Sequence, residues 1–194
     1  MTDRPSPGDL VFMGPPGVGK GTQAQRLRDR YGWVQLSTGD LFRDHLLRAT
    51  DLGALARSYI DSGSYVPDAV TVGMVREWLA ALAPEHRIMF DGFPRTAPQA
   101  EALDGLLAEH GRRIARVVVL EAPRDELVRR ILSRARELGR ADDSPELIGK
   151  RYDLYLAETE PVIAHYETRG LVRRVNGVGP IDGISERLFE ASAA

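Results

Sequence analysis

The stretch Leu10-Val11-Phe12-Met13-Gly14-Pro15-Pro16-Gly17-Val18-Gly19-Lys20-Gly21-Thr22-Gln23 leaves this chain few folds to choose from. Four apolar residues suited to a buried strand run into a glycine-rich turn, and residues 22–30 beyond it are rich in helix formers. Glycines at 14 and 19 followed by Lys20 match the spacing of a phosphate-binding loop. In such a loop successive backbone N–H groups point into one concavity while a lysine reaches the outer phosphates. A Cβ at either glycine would obstruct the wrap, and the helix N-terminus that follows adds partial positive charge. The strict pattern carries Ser or Thr directly after the lysine, whereas here Gly21 stands before Thr22. A tight strand-to-helix turn with an incidental lysine is the plainer reading, but strand, spacing, lysine and helix together favour an anion site. Lys20 and Lys150 are the only lysines among 26 basic residues, so a compact ammonium stands where a forked guanidinium would be bulky.

Beyond this unit, residues 33–36, 87–90, 116–121 and 171–176 read as strands. Helices are expected over residues 41–48, 52–60, 67–79, 98–110, 124–136 and 181–189, with a polar break at 137–144. A long helix over 145–168 should bend at Pro161. Five strands separated by helices predict a doubly wound parallel α/β sheet, whose ligands sit at the carboxyl ends of the strands. A chain of 194 residues suffices for one buried core with modest insertions.

Composition narrows the partners. A net charge of -2 supplies no basic field for polymeric nucleic acid, so anion recognition must be local. The absence of cysteine removes disulfides, thiolate metal sites and cysteine nucleophiles, and fits a cytoplasmic setting. Residues 1–8 have neither signal-peptide nor anchor character and read as a short tail. The apolar run Val117-Val118-Val119-Leu120 is far too short to span a bilayer. His45, His86, His110 and His165 lack metal-ligand spacing and read as solvated or capping residues.

Four loops follow the strands: 14–22, Ser37-Thr38-Gly39-Asp40, Asp91-Gly92-Phe93-Pro94-Arg95, and Asn176-Gly177-Val178-Gly179. Together with Gly-Lys-Gly-Thr-Gln at 19–23 and Gly139-Arg140-Ala141-Asp142-Asp143, they make the chain resemble the adenylate kinase family, within the nucleoside monophosphate kinases. The likeness covers residues 10–189, and Gly21 after the lysine is the usual form of that family.

The resemblance implies reversible, magnesium-dependent phosphoryl transfer from ATP to AMP, giving two ADP, in adenine nucleotide homeostasis. It implies a single P-loop kinase domain over 1–194, with a helical monophosphate-binding insertion at 37–66 and a short lid at 133–143. Gly17, Val18, Gly19, Lys20, Gly21 and Thr22 would hold the ATP phosphates, Arg134 would clamp ATP, and the Gly179 backbone would touch the donor adenine. Thr38, Arg43, the backbone of Ser64, Tyr65 and Val66, then Gly92, Phe93, Pro94, Arg95 and Gln99 would form the AMP site, with Gln99 on the adenine. Arg140 and Arg151 would reach the transferring phosphates, and Arg130 matches another phosphate-facing arginine. A short lid without cysteine implies no zinc, unlike some long-lid relatives. The partners implied are ATP, AMP and ADP, with no nucleic acid, no membrane and a monomeric state.

Elementary chemistry agrees with this reading. A loose phosphoryl-transfer transition state calls for positioning and countercharge rather than a covalent nucleophile, and arginine forks bind two phosphate oxygens in plane. The acceptor phosphate is already ionised, so no general base is required. Asp91 at a strand end is the candidate for the Mg²⁺ water shell. Context singles out Arg43, Arg95, Arg134, Arg140 and Arg151, whereas Arg129, Arg136, Arg173 and Arg174 read as surface residues. Asp142 and Asp143 either start the following helix with favourable charge or hold lid arginines closed. A GTPase switch would need an Asn-Lys-x-Asp segment, and Asn176 is followed by Gly177. A UMP/CMP kinase would typically carry Ala at the place of Thr38 and Asn at that of Thr96.

Overall fold

The computed structural model describes residues 8–138 and 145–193. Five parallel strands form one sheet in the order β2-β3-β1-β4-β5, comprising β1 (Asp9–Met13), β2 (Val34–Ser37), β3 (Ile88–Asp91), β4 (Ile114–Glu121) and β5 (Val172–Asn176). All four strand pairings are parallel, which bears out the doubly wound α/β expectation. The connections are α1 (Lys20–Tyr31), α2 (Thr38–Leu47), α3 (Asp51–Asp61), α4 (Asp68–Ala81), α5 (Ala97–Glu109), α6 (Arg124–Leu138), α7 (Pro145–Leu154), α8 (Glu160–Glu167) and α9 (Ile181–Ser192).

Period-two alternation divides the core between the two faces of the sheet. Val11, Met13, Phe90, Val117 and Val119 pack with Val75 and Leu79 of α4, Leu103 and Leu107 of α5, and Val162 and Tyr166 of α8. Leu10, Phe12, Met89, Val118 and Leu120 pack on the other face with Leu27 of α1, Leu127 of α6, and Ile184 and Leu188 of α9. The central strands carry continuous apolar runs, Leu10 to Met13 in β1, Ile88 to Phe90 in β3 and Val117 to Leu120 in β4, because both faces are covered there. The helical insertion packs Phe42, Ala56 and Val66 into a small cluster closed by Met74 of α4.

Several expected bounds change: α2 begins at Thr38 rather than 41 and β4 at Ile114 rather than 116. α9 runs on to Ser192, three residues past the expected end, because Ala191 and Ser192 still face the core. The single helix expected over 145–168 is broken by a π-helical turn at Tyr155–Thr159, just ahead of Pro161. Proline has no N–H for the ladder, and the backbone adjusts with a wider bond from Glu160 N–H to the Tyr155 carbonyl.

The edge of the sheet opposite the glycine-rich loop is held by a buried ion pair. The Arg112 guanidinium donates to both Asp9 carboxylate oxygens, at 2.6 and 2.9 Å, and to the carbonyls of Pro84 and His86. Asp9 also accepts the Ile88 N–H at 2.9 Å, so one carboxylate joins the starts of β1 and β3 to the loop before β4. Replacing Arg112 by Met strands that carboxylate in a site where it is 1% exposed. A loss of about 3–5 kcal/mol is expected in urea unfolding, whereas Arg48→Ala, which removes an exposed pair with Asp44, should change almost nothing.

Candidate active site

Adjacent parallel strands whose connections leave to opposite faces open a crevice at their carboxyl ends. β1 leads to α1 on one face and β3 leads to α5 on the other, so the crevice lies between Met13 and Asp91. A cleft of about 820 Å³ occupies this place.

One wall is the glycine-rich loop. Gly14 has a φ of 149°, and a Cβ there would stand 2.5 Å from the Leu120 carbonyl oxygen, so only glycine lets the chain turn off the sheet at this point. Gly19 precedes α1 in the left-handed region, and no side chain caps the helix. No acidic residue occupies its first turn, and Gly19, Lys20, Gly21 and Thr22 at this helix start line the cleft. Lys20 folds over the loop and donates to the Gly14 and Pro15 carbonyls.

The opposite wall comes from the loop after β3. Its Phe93–Pro94 peptide bond is cis. The Arg95 Nε donates to the Gly92 carbonyl at 2.7 Å, and its guanidinium lies 5.2 Å from the Tyr65 ring centroid. The Arg95 backbone N–H donates to Gln99 Oε1 at 2.8 Å, and Gln99 Nε2 donates to Asp68 Oδ1 at 2.7 Å. Thr38, at the first turn of α2, donates its hydroxyl to the Gly92 carbonyl at 3.0 Å. Ser37 caps that helix by accepting the Asp40 N–H, as its turn chemistry predicts. Arg43 reaches the cleft while paired with Asp40.

Asp91 ends β3 with one carboxylate oxygen accepting from Gln35 Nε2 at 2.9 Å. Burial pushes its carboxyl above the ordinary carboxylate range, against the opposing pull of Lys20, Arg95 and the Gln35 hydrogen bond. Among the described residues no cluster of three or more His, Asp or Glu could cage a metal. One carboxylate beside a phosphate loop suits a cation such as Mg²⁺, which keeps waters and takes its other ligands from phosphate oxygens.

The cleft gathers Gly17, Gly19, Lys20, Gly21 and Thr22 from the first loop, and Thr38, Arg43, Ser64, Tyr65, Val66, Gly92, Phe93, Pro94, Arg95 and Gln99 from the opposite side. Arg130 and Arg151 also line it. Val18 and Gly179 do not: the Val18 side chain turns into the core. Arg130 spends its donors on Glu126, the Val18 carbonyl and the Gly177 carbonyl, tying the phosphate loop to the loop after β5. Arg134 falls on α6, and Arg140, Asp142 and Asp143 lie outside the described residues, as does the rest of 139–143 in the segment 133–143 expected to be a lid.

Sequence reading did not find Gln35, Asp68, Tyr155 or Thr159. The Thr159 hydroxyl accepts from Tyr65 and donates to the Arg95 carbonyl at 3.0 Å, so the π-helical turn props the arginine loop from behind. Pro161 was the available signal, since it marks where the helix must deviate.

A phosphate loop on the central strand, facing arginines across a cleft at the switch point, defines a P-loop phosphotransferase. The family model described as adenylate kinase matches residues 12–171. The adenylate kinase of Micrococcus luteus is 52% identical over 182 residues, covering 94% of this chain and 89% of its own. That of Thermus thermophilus is 49% identical over 182 residues, covering 94% and 95%, and that of Kocuria rhizophila is 46% identical over 182 residues, covering 94% and 97%. The chain belongs to the adenylate kinase family.

The raised pKa of Asp91 carries a stability cost with a definite sign. Unfolded, the carboxyl ionises in the ordinary range; folded, it ionises at higher pH, so stability falls as pH rises between the two and the cost is complete above the folded value. Asp91→Asn is therefore expected to melt above the wild type at neutral pH in the absence of nucleotide, with the gap closing as pH is lowered through the carboxylate range.

Proposed function

We propose the following division of labour for the adenylate kinase reaction of this chain, the reversible transfer of a phosphoryl group from ATP to AMP giving two ADP. The loop Gly17 to Thr22 takes the ATP phosphates on its uncapped amides, and the Lys20 ammonium exchanges its loop carbonyls for phosphate oxygens. Arg95 faces it from the acceptor side. Its Nε is committed to Gly92, while its terminal nitrogens make no hydrogen bond among the described residues. That arrangement presents a fixed fork to the AMP phosphate, with Arg43 and Arg151 adding countercharge. Both phosphates are held in line and the acceptor attacks as an anion, so positioning and charge neutralisation carry the rate. Mg²⁺, when bound with ATP, would supply further countercharge to the phosphates, and Asp91 and Thr22, which both line the cleft, would orient its water shell. Arg130 acts from the loop it ties; on the resemblance alone, Arg134 and the backbone of Gly179 are assigned to ATP, and Arg140, with Arg151, to the transferring phosphates and the AMP site.

The same reading makes residues 37–66 the AMP-binding insertion and 133–143 a lid over ATP, within one kinase domain. The cluster of Phe42, Ala56 and Val66 within the insertion, distinct from the two clusters on the sheet faces, supports its moving against α4. A monomer acting in the cytoplasm, with nucleotides rather than nucleic acid as partners, completes the proposal; the net charge of -2 supports it. No described helix is long and apolar enough to cross a membrane.

The observation that carries this assignment is the meeting of Lys20, Thr38, Arg95 and Gln99 on one cleft. Coupled measurement of ADP formation tests it. Lys20→Met should lower kcat by more than about tenfold, a loss above ~1.4 kcal/mol, with folding retained; a smaller loss sinks the role given to the ammonium.

Base selection supplies a second test. Gln99 offers both a donor and an acceptor to a purine edge, and Thr38 narrows the slot beside it. Gln99→Ala should raise KM for AMP far more than KM for ATP, and Thr38→Ala should relax selection towards CMP and UMP. Wild-type kcat/KM for CMP or UMP equal to that for AMP would place the acceptor site with the pyrimidine branch instead.

A further inference from the structure

Gln99 is 2% exposed, and the protein already holds both ends of its amide. A primary amide has two N–H donors and two acceptor lone pairs. One lone pair takes the Arg95 backbone N–H at 2.8 Å, and one N–H goes to Asp68 Oδ1 at 2.7 Å. Only one orientation of the amide satisfies both partners, because a backbone N–H can only donate and an ionised carboxylate can only accept. Turned over, the amide would set oxygen against carboxylate and NH₂ against N–H. The carboxylate is itself braced: Asp68 Oδ2 accepts the Thr96 hydroxyl at 3.0 Å, and Thr96 Oγ1 accepts the Gln99 backbone N–H at 3.3 Å. Asp68 begins α4 and does not line the cleft, so it acts on a ligand only through Gln99.

After these bonds the amide retains one N–H and one lone pair, in an order it cannot reverse. A 6-aminopurine offers an acceptor at N1 and a donor at the 6-position. A 6-oxopurine offers the opposite pair and needs the amide turned over. An amide free to turn would serve either. We propose that Asp68 is a positioning residue that, together with the Arg95 backbone N–H, locks the Gln99 amide and thereby sets the selection of 6-amino over 6-oxo purine monophosphates. The inference rests on the assignment of Gln99 to the acceptor base made above.

The experiment compares kcat/KM for AMP and for IMP, with ATP as donor, in the wild type and in Asp68→Asn, Asp68→Ala and Gln99→Ala. Asn is nearly isosteric and can present either oxygen or NH₂ to Gln99, so it removes one of the two restraints on turning and leaves only the Arg95 N–H; it also keeps the test available if Asp68→Ala does not fold. The AMP/IMP ratio is expected to be large in the wild type and to fall at least tenfold in both Asp68 variants. The change should appear in KM for the monophosphates and not in KM for ATP. Partial unfolding scales both substrates equally and leaves the ratio unmoved, so a purely structural role predicts an unchanged ratio and overturns the proposal. If Gln99→Ala collapses the ratio while both Asp68 variants keep it, the lock is refuted and Gln99 still reads the base. If Gln99→Ala leaves the ratio untouched, the assignment of Gln99 fails and the lock fails with it.

Discussion

Parallel pairing is the constraint on which everything else depends. A parallel strand cannot return through a hairpin, so each of the five must cross back through helical connections, and each carboxyl end projects a loop to the same edge. With β1 in the middle, the glycine-rich turn stands at the centre of that edge, and the loop after β3 stands beside it on a connection leaving the other way. The buried Asp9–Arg112 pair closes the far edge, where β1, β3 and the loop before β4 meet. Charge at that end holds the strands in place, while charge at the other end lines the cleft.

Bringing the phosphates of two nucleotides together demands cations whose long side chains are already in position, since ordering them at the moment of reaction costs entropy. Here several of the relevant cations rest on protein acceptors: Lys20 on loop carbonyls, Arg43 on Asp40, Arg95 through its Nε on Gly92, and Arg130 on Glu126 and two carbonyls. The Arg130 hydrogen bond is the main reason the Glu126 carboxyl stays below its ordinary range. Substrate oxygens can then replace acceptors of like kind with little rearrangement of the arginine loops.

Support for the acceptor side comes from elements distant in the chain. The π-helical turn at Tyr155–Thr159 turns Thr159 towards both Tyr65 and the Arg95 carbonyl, and α4 supplies Asp68 behind Gln99. If Gln99 reads the base as proposed, its selectivity depends on the groups that hold it, and one of them, Asp68, lies outside the motif that announces it.

The sequence by itself determined the sheet class, the phosphate loop, the helical insertion and the run Asp91 to Arg95, because each is written in local periodicity, glycine placement or contiguous side chains. Helix ends shifted by a few residues where tertiary burial of Ala191 and Ser192 extended α9, and Pro161 announced a bend without saying that a π-helical turn would absorb it. Only the tertiary structure decided which way the Gln99 amide faces, since that depends on Asp68, 31 residues away. It alone brought Thr159 to Arg95 across 64 residues, turned Val18 into the core, and left Gly179 off the cleft wall. The physical reason is the same in each case: a side chain's hydrogen-bond partners are fixed by which elements pack together, and packing joins residues that no local pattern relates.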